Sequence, residues 1–145
     1  MINKMTGGEA LIRSVVANGI DTVYGLPGAQ TYPIFDEIYT NPDIKEIISR
    51  HEQGAGYMAF GHAYATGKPS AFSVVPGPGL LNAGAALSTA DATNTPVLCL
   101  TGQVMSEFLG KGRGHLHELR DQQGLLRSVI KHCLLYTSPS PRDGL

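Results

Sequence analysis

The stretch that decides the fold covers residues 44–56 and reads Ile-Lys-Glu-Ile-Ile-Ser-Arg-His-Glu-Gln-Gly-Ala-Gly. Its first half is rich in β-branched side chains, which favour an extended strand. Its second half opens a run of Gly and Ala that continues to Thr66 at a spacing compatible with a helix. Glu52 stands where the strand gives way to the helix, so the sequence predicts a strand–loop–helix unit with a carboxylate at its junction.

Glu52 is expected to be buried, because the segments on both sides of it are rich in apolar or small residues. Removing an ionised carboxylate from water is unfavourable unless it is paired, so a buried Glu52 would share a proton readily and suit a functional role. The alternative is an ordinary glutamate in the first turn of a helix, where the helix dipole favours negative charge. The loops elsewhere in the chain decide between these two interpretations.

Length and charge exclude several classes of function. The 145 residues have the size of one domain, and 42% of them are hydrophobic, which is enough to build a core. The net charge is −1 and no basic run occurs, so neither nucleic acid nor a membrane surface is an expected partner. The N-terminus lacks the apolar segment of a signal peptide, so a cytoplasmic location is expected. Cys99 and Cys133 are too few for a disulfide framework, and Cys99 is interpreted as a core residue.

Strand-like and helix-like segments alternate along the chain. Strands are predicted at about residues 21–24, 44–49, 71–75 and 96–101. Helices are predicted from a capping box at Thr6 to Gly19, through Ile34 and Ile38, and at about residues 53–66 and 80–93. This alternation is typical of a three-layer α/β protein, in which helices cover both faces of a parallel sheet.

Three unusual loops follow strands in this scheme: residues 25–30, His51-Glu52 and residues 77–82. Ligands of such sheets bind at the carboxyl ends of the strands, so these loops are expected to converge on one edge and form a site. The third loop also has features of a dinucleotide-binding loop, but its final glycine, Gly84, lies two positions too late. A nicotinamide-binding function is therefore not supported.

Four motifs occur in the order and spacing of one enzyme family: Gly25-Leu26-Pro27-Gly28-Ala29, Arg50-His51-Glu52-Gln53-Gly54-Ala55, Gly77-Pro78-Gly79-Leu80-Leu81-Asn82 and Thr101-Gly102-Gln103-Val104. Over most of its length the chain resembles the N-terminal, pyrimidine-binding domain of thiamine-diphosphate-dependent enzymes of the acetolactate synthase and pyruvate decarboxylase group. Because four ordered motifs carry it, the resemblance is highly specific.

The resemblance implies that Glu52 is the catalytic acid and hydrogen-bonds a ring nitrogen of the cofactor's aminopyrimidine. It implies further cofactor contacts at Gly28, Pro78 and Asn82. In that family an ylid of the cofactor attacks a 2-oxo acid, carbon dioxide leaves, and the cofactor holds the resulting carbanion. The expected function of the full-length protein is that of an acetolactate synthase-like lyase or transferase, which decarboxylates or ligates 2-oxo acids. The competing hypothesis is a non-catalytic α/β module that binds a nucleotide-like ligand or a partner subunit.

Three further residues are expected on the substrate side: Gln103, His115 and His117. Acetolactate synthases often carry Ala-Phe-Gln-Glu where residues 115–118 read His-Leu-His-Glu, and Thr-Ser where residues 75–76 read Val-Pro. These departures argue against acetolactate synthesis, and the histidine pair resembles a histidine-bearing loop of the decarboxylases. A polar surface loop is the alternative interpretation, and two histidines without a third ligand do not predict a metal site.

The resemblance also sets the expected domain organisation. Residues 1–132 are predicted to be an incomplete pyrimidine-binding domain. Residues 133–145 resemble a translated sequencing adapter and are interpreted as a non-native tail, with a natural Ser/Pro-rich linker as the alternative. Magnesium is expected on a C-terminal domain outside these residues, and FAD is possible in the full-length protein. Assembly into a homodimer or tetramer through the cofactor-binding domains is expected, and the fragment alone is expected to be inactive.

Overall fold

Strands and helices alternate along the chain, as the sequence predicts. The computed structural model describes residues 5–136. In chain order the elements are α1 (Gly7–Ala17), β1 (Thr22–Gly25), a 3-10 turn (Ala29–Thr31), α2 (Tyr32–Thr40), β2 (Lys45–Ile48), α3 (Glu52–Thr66), β3 (Ser70–Val74), α4 (Pro78–Asn82), α5 (Gly84–Ala92), β4 (Val97–Thr101) and α6 (Gln122–Leu126).

The four strands form one sheet in the order β2-β1-β3-β4, and every neighbouring pair is parallel. In the register of the sheet, Val23 of β1 lies beside Glu46 of β2 and Ala71 of β3. Each connection between parallel neighbours carries a helix, which is the arrangement that a parallel sheet requires. The predicted all-parallel α/β fold is confirmed.

Helices cover both faces of the sheet, and each face buries its own apolar cluster. All five residues of β3 are buried, and its side chains alternate between the two clusters. The cluster under α1 and α2 consists of Ile12, Val15, Ile20, Val23, Ile34, Phe35, Ile38, Ile44, Ala71 and Leu100. The cluster under α3, α4 and α5 consists of Ala55, Ala59, Phe72, Val74, Leu80, Ala83, Leu87 and Leu126. Burying one large side chain such as Phe72 contributes roughly 1.5–3 kcal/mol, so β3 is the strand that anchors both layers.

The two outer strands are much less buried than β3. Every residue of β2 is exposed, including Ile47 at 41% and Ile48 at 49%. At the opposite edge, Cys99 of β4 packs against the cluster that contains Phe72. Burial, and to a smaller extent the nearby Cys133, raise the pKa of the Cys99 thiol to about 12. Cys99 therefore behaves as a small core residue, as the sequence predicts.

One predicted helix is wrong in its continuity. A single helix is expected over residues 80–93, but the structure has α4 and α5 with a break at Ala83. Gly84 follows the break, and glycine is a poor helix residue because its backbone loses the most conformational entropy. Ala83 is fully buried and lies close to Gly56 of α3, so the break occurs where the segment packs against α3.

Some expectations concern parts of the chain that the structure does not test. Residues 137–145, which contain most of the predicted non-native tail, lie outside the described residues. The boundary at residue 132 stays a prediction. Within residues 5–136, no helix has both the length and the apolar character needed to cross a bilayer.

Candidate functional site

The carboxyl ends of the four strands lie at one edge of the sheet, and a loop follows each of them. We refer to these as the β1 loop (residues 26–31), the β2 loop (residues 49–51), the β3 loop (residues 75–77) and the β4 loop (residues 102–121). Contacts between these loops, α3 and α4 define a candidate site at the edge where sheets of this kind bind ligands.

Glu52 is the first residue of α3 and lies directly after the β2 loop. Its Oε2 accepts a hydrogen bond of 3.0 Å from Nδ2 of Asn82, the last residue of α4. His51 caps the helix, since its Nδ1 accepts the backbone N–H of Gln53 at 3.1 Å. The hydrogen bond fixes a carboxylate and a carboxamide side by side at the sheet edge.

The expected burial of Glu52 is wrong, because the structure places it half-buried. Glu52 follows an outer strand whose residues are all exposed, and His51 and Gln53 on either side of it are exposed too. Solvent therefore reaches this side of the site, and Asn82 beside Glu52 is exposed as well. Flanking apolar residues are a poor guide here, because Ile47 and Ile48 are themselves exposed on an outer strand.

Gly79 lets α4 approach Glu52 closely. A Cβ added at Gly79 would lie 2.6 Å from Cγ2 of Val75 and 3.5 Å from Oε1 of Glu52. The first of these distances is a collision, so a side chain at this position would push α4 away from the carboxylate. Pro78, the first residue of α4, precedes it and is exposed at the mouth of the site.

Gly28 brings the β1 loop against the same valine. A Cβ added at Gly28 would overlap Cγ1 of Val75, so the two loops meet at Val75 with glycine on both sides. Gly28 is held in place by Thr31, whose Oγ1 accepts the Gly28 N–H at 3.1 Å and donates to the Gly28 carbonyl at 3.0 Å. Val75 is buried and fills this junction, which gives a packing role to one of the two residues that depart from the acetolactate synthase pattern.

Sequence reasoning missed Gln122, which bridges two loops of the site. Its Oε1 accepts the buried N–H of Gly77 at 3.0 Å, and its Nε2 donates to the carbonyl of Gly102 at 3.1 Å. The side chain thus joins the β3 loop to the β4 loop. No local sequence pattern indicates this role, because the backbone atoms that Gln122 contacts belong to residues far away in sequence.

Replacing Gln122 by leucine is expected to lower the free energy of unfolding by about 2–3 kcal/mol, since the backbone N–H of Gly77 and carbonyl of Gly102 lose their partner. Urea denaturation followed by circular dichroism measures the change. Gln123→Leu is the matched control, because Nε2 of Gln123 makes only a long contact of 3.9 Å with Sγ of Cys133. Equal losses of stability in both variants would contradict the bridging role.

The three predicted substrate-side residues make different contacts in the structure. Nδ1 of His117 lies 2.7 Å from Oε1 of Gln30, which ties His117 to the β1 loop. His115 instead stacks on Phe108, with ring centroids 3.9 Å apart. Oε1 of Gln103 turns back to its neighbour Val104 and accepts that residue's N–H at 2.8 Å. Only His117 of the three makes a hydrogen bond to another strand-end loop among residues 5–136, and all three roles stay predictions.

The site offers hydrogen-bonding groups rather than a ligand set for a metal. Among residues 5–136, no three side chains of His, Cys, Asp or Glu are grouped to hold a metal ion. A carboxylate next to a carboxamide presents both acceptor and donor atoms. The pair can therefore hydrogen-bond a polar ligand that carries atoms of both kinds.

Comparison with known families bears directly on this site. Residues 5–125 match the family described as thiamine pyrophosphate enzyme, N-terminal TPP binding domain. The chain belongs to this family. As a TPP-binding domain, it has Glu52, Asn82, Gly28 and Pro78 within the matched segment.

Several curated proteins are similar to this TPP-binding domain. A probable 2-ketoarginine decarboxylase of Pseudomonas aeruginosa is 38% identical over 135 residues, which cover 93% of the chain and 24% of that protein. The acetolactate synthase large subunit of Corynebacterium glutamicum is 34% identical over 137 residues, or 94% of the chain and 21% of that protein. An acetolactate synthase of Arthrospira platensis is 38% identical over 142 residues, or 96% and 24% respectively. The chain thus spans less than a quarter of the length of these relatives.

Proposed function

We propose that this domain forms the pyrimidine-binding half of the active site in a longer thiamine-diphosphate-dependent enzyme that decarboxylates or ligates 2-oxo acids. The observation that carries the proposal is the hydrogen bond between Glu52 and Asn82 at the carboxyl edge of the parallel sheet. Similarity to a 2-ketoarginine decarboxylase and to acetolactate synthases supports the same class of substrate.

The residues present fit the aminopyrimidine of thiamine diphosphate. Gly28 and Gly79 both lie where a Cβ would collide with Val75, and Gly79 also lies close to the Glu52 carboxylate, so neither position can carry a side chain beside the site. Glu52 and Asn82 are the side chains that would hold the ring, with the backbone around Gly28 and Pro78 beside them. When bound, thiamine diphosphate supplies a carbon nucleophile and an electron sink for cleavage of the bond to the carboxylate carbon.

Glu52 is proposed to hold and return one proton through Oε1. Its other oxygen, Oε2, is occupied by the amide of Asn82, whereas Oε1 has no hydrogen-bond partner within residues 5–136. Asn82 thereby orients the carboxylate and leaves one oxygen free for proton exchange with a ring nitrogen. A general acid must lie within hydrogen-bond reach of the proton it transfers, and Oε1 can meet this requirement while Oε2 stays bonded to Asn82.

A second subunit is proposed to cover the open side of the site. The partly exposed aromatic row Tyr57, Phe60 and Tyr64 runs along α3, the helix that begins at Glu52, and Tyr64 is 67% exposed. Leu81 on α4 is 47% exposed next to Asn82. Apolar surface of this kind beside a half-open site supports assembly of a homodimer or tetramer through the cofactor-binding domains. Magnesium, and FAD if the enzyme uses it, are proposed to bind outside this domain.

The test uses the full-length protein with thiamine diphosphate and magnesium. At a free thiamine diphosphate concentration 100 times its dissociation constant, binding should stabilise the folded state by about 2.7 kcal/mol. A rise in melting temperature reports this stabilisation. Carbon dioxide release is then measured with a panel of 2-oxo acids that includes pyruvate and 2-ketoarginine. Turnover that requires thiamine diphosphate supports the proposal. A melting temperature raised by ATP but not by thiamine diphosphate would instead favour the non-catalytic binding module.

A further inference from the structure

We infer that Gln30 is a positioning residue that holds the imidazole of His117 with its hydrogen on Nδ1, which leaves Nε2 as the ring nitrogen available to a substrate. The Nδ1–H tautomer is a property of the chain alone, whereas a role for Nε2 toward a substrate rests on the proposed function.

The orientation of the Gln30 amide determines which nitrogen of His117 carries the hydrogen. Its Nε2 donates to the carbonyl of Leu116 at 3.0 Å, and its Oε1 lies 2.7 Å from Nδ1 of His117. In the opposite orientation two oxygens would face each other at Leu116, which offers no hydrogen bond. Oε1 is therefore the acceptor, so Nδ1 of His117 must carry the hydrogen.

The backbone of His117 is held by the β3 loop. His117 has a left-handed φ of +67°, and the only other residue besides glycine with a positive φ within residues 5–136 is Asn94. This conformation costs a residue such as histidine about 1–3 kcal/mol and persists only where surrounding contacts impose it. The His117 carbonyl lies against Gly77, at a distance that leaves no room for a Cβ there.

The β1 and β4 loops meet at Gln30 as well. A Cβ added at Gly102 would lie 2.6 Å from the carbonyl oxygen of Gln30, so these backbones are in close contact. Gln30 and His117 therefore sit where three strand-end loops converge. Gly77 is followed by Pro78 and by Gly79, which lies against Glu52, so the same short segment connects His117 to the proposed cofactor site.

The two histidines of the β4 loop have different roles in this arrangement. The carboxylate of Glu118 accepts the backbone N–H groups of His115 at 2.9 Å and Gly112 at 3.0 Å, and these bonds hold the pKa of Glu118 below its usual value. The His115 ring stacks on Phe108, and its Nε2 is buried without a partner among the described residues. His115 thus belongs to the framework of the loop, and His117 is the histidine oriented by a side chain of the site.

The tautomer of His117 can be read directly from 15N chemical shifts of histidine-labelled protein, with no cofactor or substrate present. The His117→Gln variant assigns the signals by their loss. In the unaltered chain at a pH where His117 is neutral, we expect hydrogen on Nδ1. Gln30→Met removes the acceptor and should return His117 to the Nε2–H form that imidazole prefers in water. Gln30→Glu loses the hydrogen bond to the Leu116 carbonyl but retains an acceptor for Nδ1, so the neutral imidazole should keep the Nδ1–H form. Gln103→Met, the same change in another strand-end loop, should leave the tautomer unaltered.

An Nε2–H signal for His117 in the unaltered chain overturns the inference, as does a Gln30→Met variant with an unchanged tautomer and an intact amide spectrum.

In the full-length holoenzyme, Gln30→Met should lower kcat at least about tenfold with little change in KM, since a proton-transfer group typically contributes 10²–10⁴-fold. An unchanged kcat contradicts the substrate-side role of Nε2. If the tautomer behaves as expected but no 2-oxo acid is turned over, the proposed function fails and the positioning by Gln30 stands. If 2-oxo acids are turned over but His117 lacks the Nδ1–H tautomer, the proposed function stands and the positioning by Gln30 fails.

Discussion

The Glu52→Gln variant of the full-length enzyme is expected to lose about 10²–10⁴-fold in kcat, the range typical of removing a general acid–base group. Glutamine keeps the shape of the side chain and an oxygen that can accept from Nδ2 of Asn82, so the 3.0 Å hydrogen bond can persist. Its amide cannot take up and return a proton at the position of Oε1. Steady-state turnover of a 2-oxo acid with saturating thiamine diphosphate and magnesium measures the effect.

Two controls separate the chemical effect from a structural one. The melting temperature of Glu52→Gln should stay close to that of the parent protein, since the change lies at a half-exposed position and conserves volume. Glu46→Gln makes the same substitution on the exposed strand β2 and should leave kcat unaltered. Full activity in Glu52→Gln would remove Glu52 from the proposed proton exchange, while the family assignment would be unaffected.

The Gly77→Ala variant is expected to lose about 4 kcal/mol of unfolding free energy, from backbone strain and overpacking of roughly 1–3 kcal/mol each. Gly77 has φ +64° and ψ −120°, a conformation that residues with a Cβ rarely adopt. The added methyl group would also collide with the backbone carbonyl of His117. Urea denaturation of the parent and variant chains gives the difference.

Gly67→Ala is the matched control for this prediction. Gly67 has a similar φ of +68° at the C-terminal end of α3, but a Cβ there would meet no atom within 4 Å. The Gly67→Ala variant should lose roughly 1–2 kcal/mol of unfolding free energy, from left-handed backbone strain alone. A Gly77→Ala variant no less stable than Gly67→Ala would show that the contact with His117 is not tightly packed.

Local sequence patterns predicted the order of the elements and the edge of the sheet that carries the candidate site. The capping role of Thr6 is an example, since its Oγ1 accepts the N–H of Glu9 at 3.1 Å as the capping-box pattern indicates. Such features depend on residues three or four positions apart, which periodicity detects well. The convergence of the strand-end loops followed from the topology of parallel sheets.

Features that depend on tertiary neighbours escaped prediction. The half-exposure of Glu52 depends on β2 being an edge strand, and nothing in a run of β-branched residues distinguishes an edge from a centre. The break at Ala83 depends on packing against α3 as well as on the glycine that follows. The hydrogen bonds of Gln122 and of Gln30 join residues 45 and 87 positions apart, beyond the reach of any local pattern.

The bridge made by Gln122 also has a consequence for synthesis on the ribosome. The β3 loop precedes its partner by 45 residues, so the Gly77 N–H has no side-chain acceptor until the chain through Gln122 has emerged. All four strands end by Thr101, but Leu126 of the cluster under α3, α4 and α5 follows Gln122. The turn that leads into α4 and the apolar cluster beneath it therefore gain their last contacts together, from residues 122–126. A nascent chain that ends between Thr101 and Gln122 would contain all four strands but lack the acceptor for the Gly77 N–H.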